Sequence, residues 1–322
     1  MKITDNIRHL TEQCISDEVK KALIIYDQST ACLIEMFRAE LEKVGKTVMT
    51  SCIAQACCHG QEPDRETAGR MLAVDVILCL TRYSLAHTAA RRAAEERGIA
   101  FLSMPEYSRE LLESDAIAAD YRSIVPKVVR YADLLTGAEV IHVTTPKGTD
   151  LIMYAGGRKG NACPGLTNKA YLLGSPPDIE ANVAPVEDKT EGVLVIDGSV
   201  TDPRLGLLHK PLYLKIEKGS IAGIRSEDTE TEAIVKELLE AVHDAHAYIV
   251  GEFGIGFNDK AVLYGNMLTD EGTKGCVHFG MGSNWTIGGQ NKVGFHLDFV
   301  MKEATVKLDD VAVIEDGVLL YE

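Results

Sequence analysis

The chain has 322 residues, 46% of them hydrophobic, and a formal net charge of −15. This length is enough to bury a sizeable core and favours two domains. The acidic balance repels phosphate backbones and argues against nucleic acid as a partner, and no apolar stretch is long enough to predict a membrane span.

The cysteines and the N-terminus indicate the compartment. The eight cysteines lie at irregular spacings, which is typical of reduced thiols rather than of a disulfide framework. The first residues contain acids and lack the apolar segment of a signal peptide. We therefore expect a cytoplasmic protein.

Strand signals alternate with helix signals over the first third of the chain. Apolar, β-branched runs such as KKALIIYDQ are followed by segments with helical spacing such as SLAHTAARRAAEERG. Strands that alternate with helices form a parallel sheet with helices on its faces. The sequence therefore predicts an N-terminal α/β domain over residues 1–135.

Short strands separated by glycine and aspartate dominate the rest of the chain. AEVIHVTTPKGTDLIMYAGG has the pattern of a hairpin that turns at Pro146, Lys147 and Gly148, and one helix is predicted over residues 229–245. The sequence predicts a C-terminal α+β domain over residues 136–322, with much antiparallel sheet.

The run KVGFHLDFVM places His296 and Asp298 two residues apart in an apolar strand. Residues i and i+2 of a strand share one face, with Cβ atoms roughly 7 Å apart. Both side chains could therefore reach one cation, or one could bind it while the other orients the ligand. Taken alone, such a pair is more often a hydrogen-bonded part of the core than a metal site.

Two further residues strengthen the metal interpretation. Glu252 in GEFGIGFND and His278 in GCVHFGMGSNWTIGGQN lie in glycine-rich, apolar settings. A buried acid is costly unless it is paired or binds a metal. Mixed histidine and carboxylate ligands suit zinc, cobalt, manganese or non-haem iron, and we interpret the glycines as a loop that lets the backbone approach a ligand. The sequence therefore predicts a metal site in the C-terminal domain.

These motifs resemble the aminopeptidase T / aminopeptidase S family of metallopeptidases. The order GTDL, APVEDKTEGVLVIDGS, GEFGIGFN, GCVHFGMGSN and HLD carries the resemblance, and LTRYSLAHTAARRAAEERGIAFLSMPEYS resembles that family's first domain. The resemblance extends over residues 20–300. It implies a centre of two zinc or cobalt ions with these ligands: Glu180, Glu252, His278, His296 and Asp298.

The resemblance implies a metal-dependent hydrolase that cleaves a peptide or small amide as a homodimer. Two metals would lower the pKa of a shared water, and a glutamate, Glu180 or Glu252, would act as general base. Trp285 stands where the peptidases have a tyrosine thought to assist catalysis. A metal-binding relative without peptidase activity is therefore an alternative.

The chain also resembles the ring-opening 2,5-dihydroxypyridine dioxygenases. These share the HLD ending and hold one Fe(II) with two histidines and an aspartate. A histidine of the N-terminal domain acts as base, and the resemblance places it at His87, which could equally be a surface residue at a helix N-terminus. Glu252 stands where this resemblance implies a histidine ligand, so we predict the aminopeptidase-like hydrolase and keep the dioxygenase as the alternative.

Overall fold

The computed structural model describes residues 2–321, and this part of the chain forms eight α-helices and twenty β-strands. Side-chain caps define several helix starts: Thr88 accepts a hydrogen bond from the backbone N–H of Arg91, and Asp228 accepts from that of Thr231. The helices are α1 (Lys2–Cys14), α2 (Ile34–Lys43), α3 (Arg65–Met71), α4 (Ala89–Glu95), α5 (Arg109–Glu113), α6 (Tyr121–Gly137), α7 (Thr229–Glu240) and α8 (Met267–Gly272).

The strands alternate with these helices early in the chain and follow one another later. The first ten are β1 (Lys21–Tyr26), β2 (Thr47–Cys52), β3 (Val76–Leu80), β4 (Ala100–Ser103), β5 (Val140–Thr144), β6 (Asp150–Tyr154), β7 (Asn161–Cys163), β8 (Leu173–Gly174), β9 (Glu180–Val183) and β10 (Thr190–Ile196). The others are β11 (Ser199–Val200), β12 (Gly206–Leu207), β13 (Leu212–Glu217), β14 (Ser220–Ser226), β15 (Val250–Gly256), β16 (Val277–Gly282), β17 (His296–Met301), β18 (Thr305–Leu308), β19 (Val311–Glu315) and β20 (Val318–Leu319).

Two compact units make up the chain. The first comprises the chain up to Ser123 together with Cys163–Pro177, and the second comprises Ile124–Ala162 and the chain from Asp178 onward. The first unit contains a five-stranded parallel sheet in the order β2-β1-β3-β4-β8. Strand β3 is buried along its whole length, as expected for a parallel sheet covered on both faces. The predicted α/β architecture of the N-terminal region is confirmed.

The second unit is built on two sheets in which antiparallel pairs predominate. One has eight strands in the order β14-β13-β10-β6-β5-β18-β19-β20, and the other has seven in the order β12-β11-β17-β16-β15-β9-β7. Strands β5 and β6 form the predicted hairpin, with Thr144 opposite Asp150. Helix α7 ends at Glu240, earlier than predicted, because His243 adopts a positive φ of 54° that no helix continues through. Within residues 2–321, no helix combines the length and apolar character that a membrane crossing needs.

Candidate metal centre

Four neighbouring strands of the seven-stranded sheet present the predicted ligands. The antiparallel register places Glu252 opposite Gly280, and Gly280 opposite Asp298. Directly opposed residues share a face, and so do residues two apart on one strand. The same face therefore carries all the predicted metal ligands: Glu180 on β9, Glu252 on β15, His278 on β16, and His296 and Asp298 on β17.

Glycines on this face make room for the histidine rings. A Cβ on Gly254 would lie 2.1 Å from Nε2 of His278, and a Cβ on Gly280 would lie 2.5 Å from Cε1 of His296. Both distances are far inside van der Waals contact, so each ring lies directly over glycine backbone. The interpretation of these glycines as a ligand-approaching loop is wrong for residues 277–282, which form strand β16. The glycines make space for the site's own side chains.

The opposite face of the same strands is apolar. Phe253 lies opposite Phe279, and Phe279 lies opposite Phe299. All three side chains are fully buried, and the ring centres of Phe253 and Phe279 are 5.5 Å apart. Burial of each aromatic ring contributes about 1.5–3 kcal/mol, so the polar face rests on a well-packed layer.

A first group of donor atoms consists of Glu252, His296 and Asp298. His296 Nε2 lies 3.1 Å from Asp298 Oδ1 and 3.2 Å from Glu252 Oε2. The potential ligand atoms of the three residues lie within 4.8 Å of one another. The His296 side chain is 34% exposed, whereas those of Glu252 and Asp298 are below 10%. Solvent therefore reaches this group of donor atoms from the side of His296.

A second group shares Glu252 with the first. Glu180 and His278 join Glu252 with ligand atoms again within 4.8 Å of one another. His278 Nε2 lies 2.9 Å from Glu180 Oε2, and both side chains are at most 10% exposed. The structure thus brings all five predicted ligands together, arranged as two groups of three that meet at one carboxylate.

The backbone fixes the orientation of His296. Its Nδ1 lies 3.0 Å from the carbonyl oxygen of Ser283. A carbonyl only accepts hydrogen bonds, so Nδ1 carries a proton and donates it. A neutral ring then turns the lone pair of Nε2 toward the carboxylates of Glu252 and Asp298, which is unfavourable unless Nε2 is protonated or a cation lies between them. Metal-binding histidines are held in this way through their second nitrogen.

The electrostatics of the site favour positive charge. Burial disfavours the imidazolium forms, but the Glu180 carboxylate raises the pKa of His278 to about 9, and Asp298 and Glu252 raise the pKa of His296 well above its usual value. Although burial opposes it, His296 holds the pKa of Asp298 below its ordinary range. Burial raises the pKa of Glu252. This concentration of carboxylates stabilises any cation that binds among them.

Two further acids lie at the site and were missed by sequence reasoning. Burial, reinforced by neighbouring carboxylates, raises the pKa of Asp178 and of Glu271 well above the usual values. Gly272 allows the backbone of Asp178 to pack against α8, since a Cβ on Gly272 would lie 2.8 Å from Asp178 Cα. Asp178 precedes Glu180 by two residues, and that spacing is the signal that could have identified it. Glu271 lies on α8 and shows no comparable signal.

Unsatisfied polar atoms show that the residues fit a metal ion. Among the side chains that the structure describes, Asp178 Oδ1, Glu180 Oε2, Glu271 Oε1 and His278 Nδ1 are buried without a hydrogen-bond partner. Glu180 Oε2 accepts no hydrogen bond although His278 Nε2 is only 2.9 Å away. Ligand atoms that adjoin without hydrogen bonding are expected around a shared cation. The donor set of carboxylate oxygens and imidazole nitrogens suits a divalent metal.

His87 and Trp285 are the other two residues that the sequence analysis singled out. His87 belongs to the first unit, is exposed, and immediately precedes Thr88, the residue that caps α4. Trp285 opens a short 3-10 turn, Trp285–Ile287, after β16. Its side chain is 48% exposed, with Lys292 Nζ 5.4 Å from the ring centre.

Comparison with known proteins identifies the family. The family model of 2,5-dihydroxypyridine 5,6-dioxygenase, NicX, matches residues 8–321. The 2,5-dihydroxypyridine 5,6-dioxygenase of Pseudomonas putida KT2440 is 27% identical over 201 residues, which is 59% of this chain. That match spans 57% of the length of the Pseudomonas protein.

Solved structures share the fold. The 2,5-dihydroxypyridine dioxygenase of Pseudomonas putida KT2440 superposes with a TM-score of 0.84 at 18% identity, covering 99% of this chain and 97% of the other. AmpT of Thermus thermophilus gives a TM-score of 0.67 at 14% identity, covering 99% of each chain. At these identities the likeness shows the fold alone.

The predicted metal-dependent hydrolase of the aminopeptidase type, with its role in proteolysis, is wrong. The family match and the Pseudomonas relative are both dioxygenases, whereas the likeness to AmpT, at 14% identity, shows the fold alone. The error arose at Glu252, because carboxylate and imidazole are alternative ligands for the same metals and one such position does not separate two chemistries. Since the match runs through nearly the whole chain, from residue 8 to residue 321, the protein belongs to the 2,5-dihydroxypyridine 5,6-dioxygenase family.

Proposed function

We propose that this protein is an Fe(II)-dependent dioxygenase that opens the ring of a 2,5-dihydroxypyridine or a closely related hydroxylated heteroaromatic compound. The observation that carries the proposal is the convergence of Glu252, His296 and Asp298, with ligand atoms within 4.8 Å of one another, in a chain of this family. Non-haem iron sites of oxygenases use three such nitrogen and oxygen ligands and leave other positions open.

The proposed iron ligands differ from those implied by the resemblance. Two histidines and one aspartate were expected, with the second histidine at the place where this chain has Glu252. In the structure Glu252 completes the group around His296 and Asp298, whereas His278 contacts Glu180. We therefore assign the iron to one imidazole and two carboxylates.

Bound Fe(II) supplies the one-electron chemistry that lets dioxygen react with a closed-shell aromatic ring. The protein's part is to hold the iron and to orient its ligands. The backbone carbonyl of Ser283 fixes the ring of His296 through Nδ1. The buried carboxylates of Glu252 and Asp298 place negative charge next to Nε2 of that ring. Because His296 is the most exposed of these three side chains, the substrate is expected to enter on its side.

A base is needed to take a proton from a ring hydroxyl, and we assign this role to His87. Histidine is the usual general base near neutral pH. The resemblance to the dioxygenases supports this assignment, since it places their N-terminal histidine base at His87, an exposed residue in the loop before α4.

Oxygen consumption tests the proposed reaction. A 5,6-dioxygenase breaks the C5–C6 bond and places both atoms of O₂ in the product. Protein loaded with Fe(II) under argon and then given 2,5-dihydroxypyridine and oxygen should take up one O₂ for each ring lost, and the product should be heavier by one O₂. Protein that retains iron but consumes no oxygen with this or related dihydroxypyridines would contradict the proposal and favour a metal-binding relative without turnover.

A further inference from the structure

The two carboxylate oxygens of Glu180 have different surroundings. Oε1 accepts a hydrogen bond of 2.7 Å from Nδ2 of Asn182. Oε2 accepts none and lies 2.9 Å from Nε2 of His278. Asn182 follows Glu180 by two residues on β9, so both side chains lie on the polar face of the sheet. Asn182 is thus hydrogen-bonded to one carboxylate oxygen of Glu180, and the other oxygen faces the metal centre.

A second asparagine determines which end of the Asn182 amide faces Glu180. Asn161 Nδ2 donates to Asn182 Oδ1 over 2.9 Å. The oxygen and nitrogen of an amide are nearly equal in shape, so only the partners decide its orientation. Because Asn161 donates to the oxygen, the amide nitrogen of Asn182 faces the carboxylate. Asn182 is 2% exposed, so water competes little for these bonds.

Asn161 also holds the turn that carries Trp285. Its Nδ2 donates to the carbonyl oxygen of Ile287, the last residue of that turn, over 3.1 Å. The side chain of Asn284, the residue just before the turn, accepts a 2.8 Å hydrogen bond from the backbone N–H of Asn291 and so connects the two ends of the loop. A continuous series of hydrogen bonds therefore runs from the turn through two asparagines to Glu180.

The same loop holds a second candidate ligand. The Ser283 carbonyl, two residues before Trp285, orients His296 through Nδ1. The loop is anchored from the side by Glu187, which accepts from Asn284 Nδ2 over 3.0 Å and pairs with Arg158. The anchored loop is thus hydrogen-bonded directly to His296 in one group and, through the two asparagines, to Glu180 in the other.

We propose that Asn161 and Asn182 are positioning residues, here called the asparagine relay, that hold Glu180 Oε2 toward a metal in the group Glu180, Glu252 and His278 and link metal binding there to the turn at Trp285. Because Glu252 belongs to both groups of ligands, the inference rests on the metal-binding part of the proposed function and not on the ring-opening reaction. Partners that orient a metal ligand typically strengthen metal binding by 10–100-fold. By linkage, a metal that favours the held conformation of Glu180 also favours the held conformation of the turn.

Trp285 is the only tryptophan in the sequence, so intrinsic tryptophan fluorescence reports on this turn alone. Zn(II) is a suitable probe because it is redox-inactive and binds carboxylate and imidazole ligands. Wild-type protein should bind Zn(II) in equilibrium dialysis, and the emission of Trp285 should change with the same titration midpoint.

Asn182→Ala and Asn161→Ala should weaken Zn(II) binding by about 10–100-fold. Asn161→Ala should also abolish the fluorescence change, because it releases the Ile287 carbonyl. Asn168→Ala is the matched control, since Asn168 only caps a local turn at Ala170 and Tyr171 in the first unit and should leave both readouts unchanged. If Asn182→Ala does not fold, the half-buried Asn161 still gives the test.

Wild-type affinity and an unchanged fluorescence response in both variants would overturn the relay. Wild-type protein that binds no Zn(II) or Fe(II) would overturn the metal centre and both proposals with it. Protein that shows the predicted Zn(II) behaviour but consumes no oxygen with Fe(II) would contradict the proposed function and support the relay.

Discussion

The ring of His296 lies against the backbone of Gly280, so closely that a Cβ on Gly280 would be 2.5 Å from Cε1 and 2.7 Å from Nε2 of the histidine. The same Cβ would be 2.9 Å from Cβ of Glu252. The absence of one side chain therefore allows two candidate iron ligands to take their positions.

Gly280→Ala should consequently displace His296 and weaken Fe(II) binding by at least tenfold. The added methyl group overpacks a buried position and should lower the free energy of unfolding by about 1–3 kcal/mol. Iron content after dialysis and urea denaturation measure the two effects. Gly294→Ala is the control, because its Cβ would meet nothing within 4 Å. Equal iron content in the two variants would show that the close contact is unimportant.

Asp298→Asn tests the proposed iron ligands directly. The change removes a charged ligand and the negative charge of one of the two carboxylates that contact Nε2 of the partly exposed His296. We expect little bound iron, no oxygen uptake and a lower free energy of unfolding in EDTA. Asp316→Asn alters an exposed aspartate that pairs with Thr305 and should retain iron. Full iron content in Asp298→Asn would remove Asp298 from the ligand set.

The pH dependence of stability should report on His278 in metal-free protein. Its pKa is raised to about 9, above the usual value of 6.5. A raised pKa means that the stabilising contribution is fully present below about pH 6.5 and is lost as the pH rises through about 9. The free energy of unfolding in EDTA should therefore fall over this interval by up to about 3 kcal/mol. His278→Gln should reduce this slope, and the part that remains is expected from His296, whose pKa is also raised. A slope as steep as that of the wild type would show that His278 does not contribute.

Substitution of His87 should affect catalysis without affecting metal binding. If His87 is the base, His87→Gln should lower kcat by about 10²–10⁴-fold while iron content stays at the wild-type level. His209→Gln changes another exposed histidine and should keep full activity. An unchanged kcat in His87→Gln would show that the proton is taken by another group.

The strand pattern of the sequence was enough to predict which face of the sheet carries the candidate metal ligands. The spacing of His296 and Asp298 requires a common face, and the structure places Glu252 and His278 on it through cross-strand register. The sequence could not show that the ligands form two groups around Glu252, because this depends on which side chains face each other across strands distant in sequence. Glu271 was missed for the same reason, since it reaches the site from a helix.

The chemistry was harder to predict than the site. The HLD ending is common to the peptidase and dioxygenase resemblances, so it does not separate a hydrolase from an oxygenase. The match over residues 8–321 separates them because it draws on the whole chain. The predicted homodimer and cytoplasmic location stay predictions.

The glycines beneath the histidine rings also limit where this protein can acquire a new substrate specificity. Gly254 and Gly280 have no side chain whose size or charge could be varied. A side chain introduced at either position would collide with a candidate ligand. New specificity must therefore be selected in the surrounding loops, and the segment between β16 and β17 is the natural starting point. Directed evolution of this protein is best begun in residues 285–290, with the strands left unchanged.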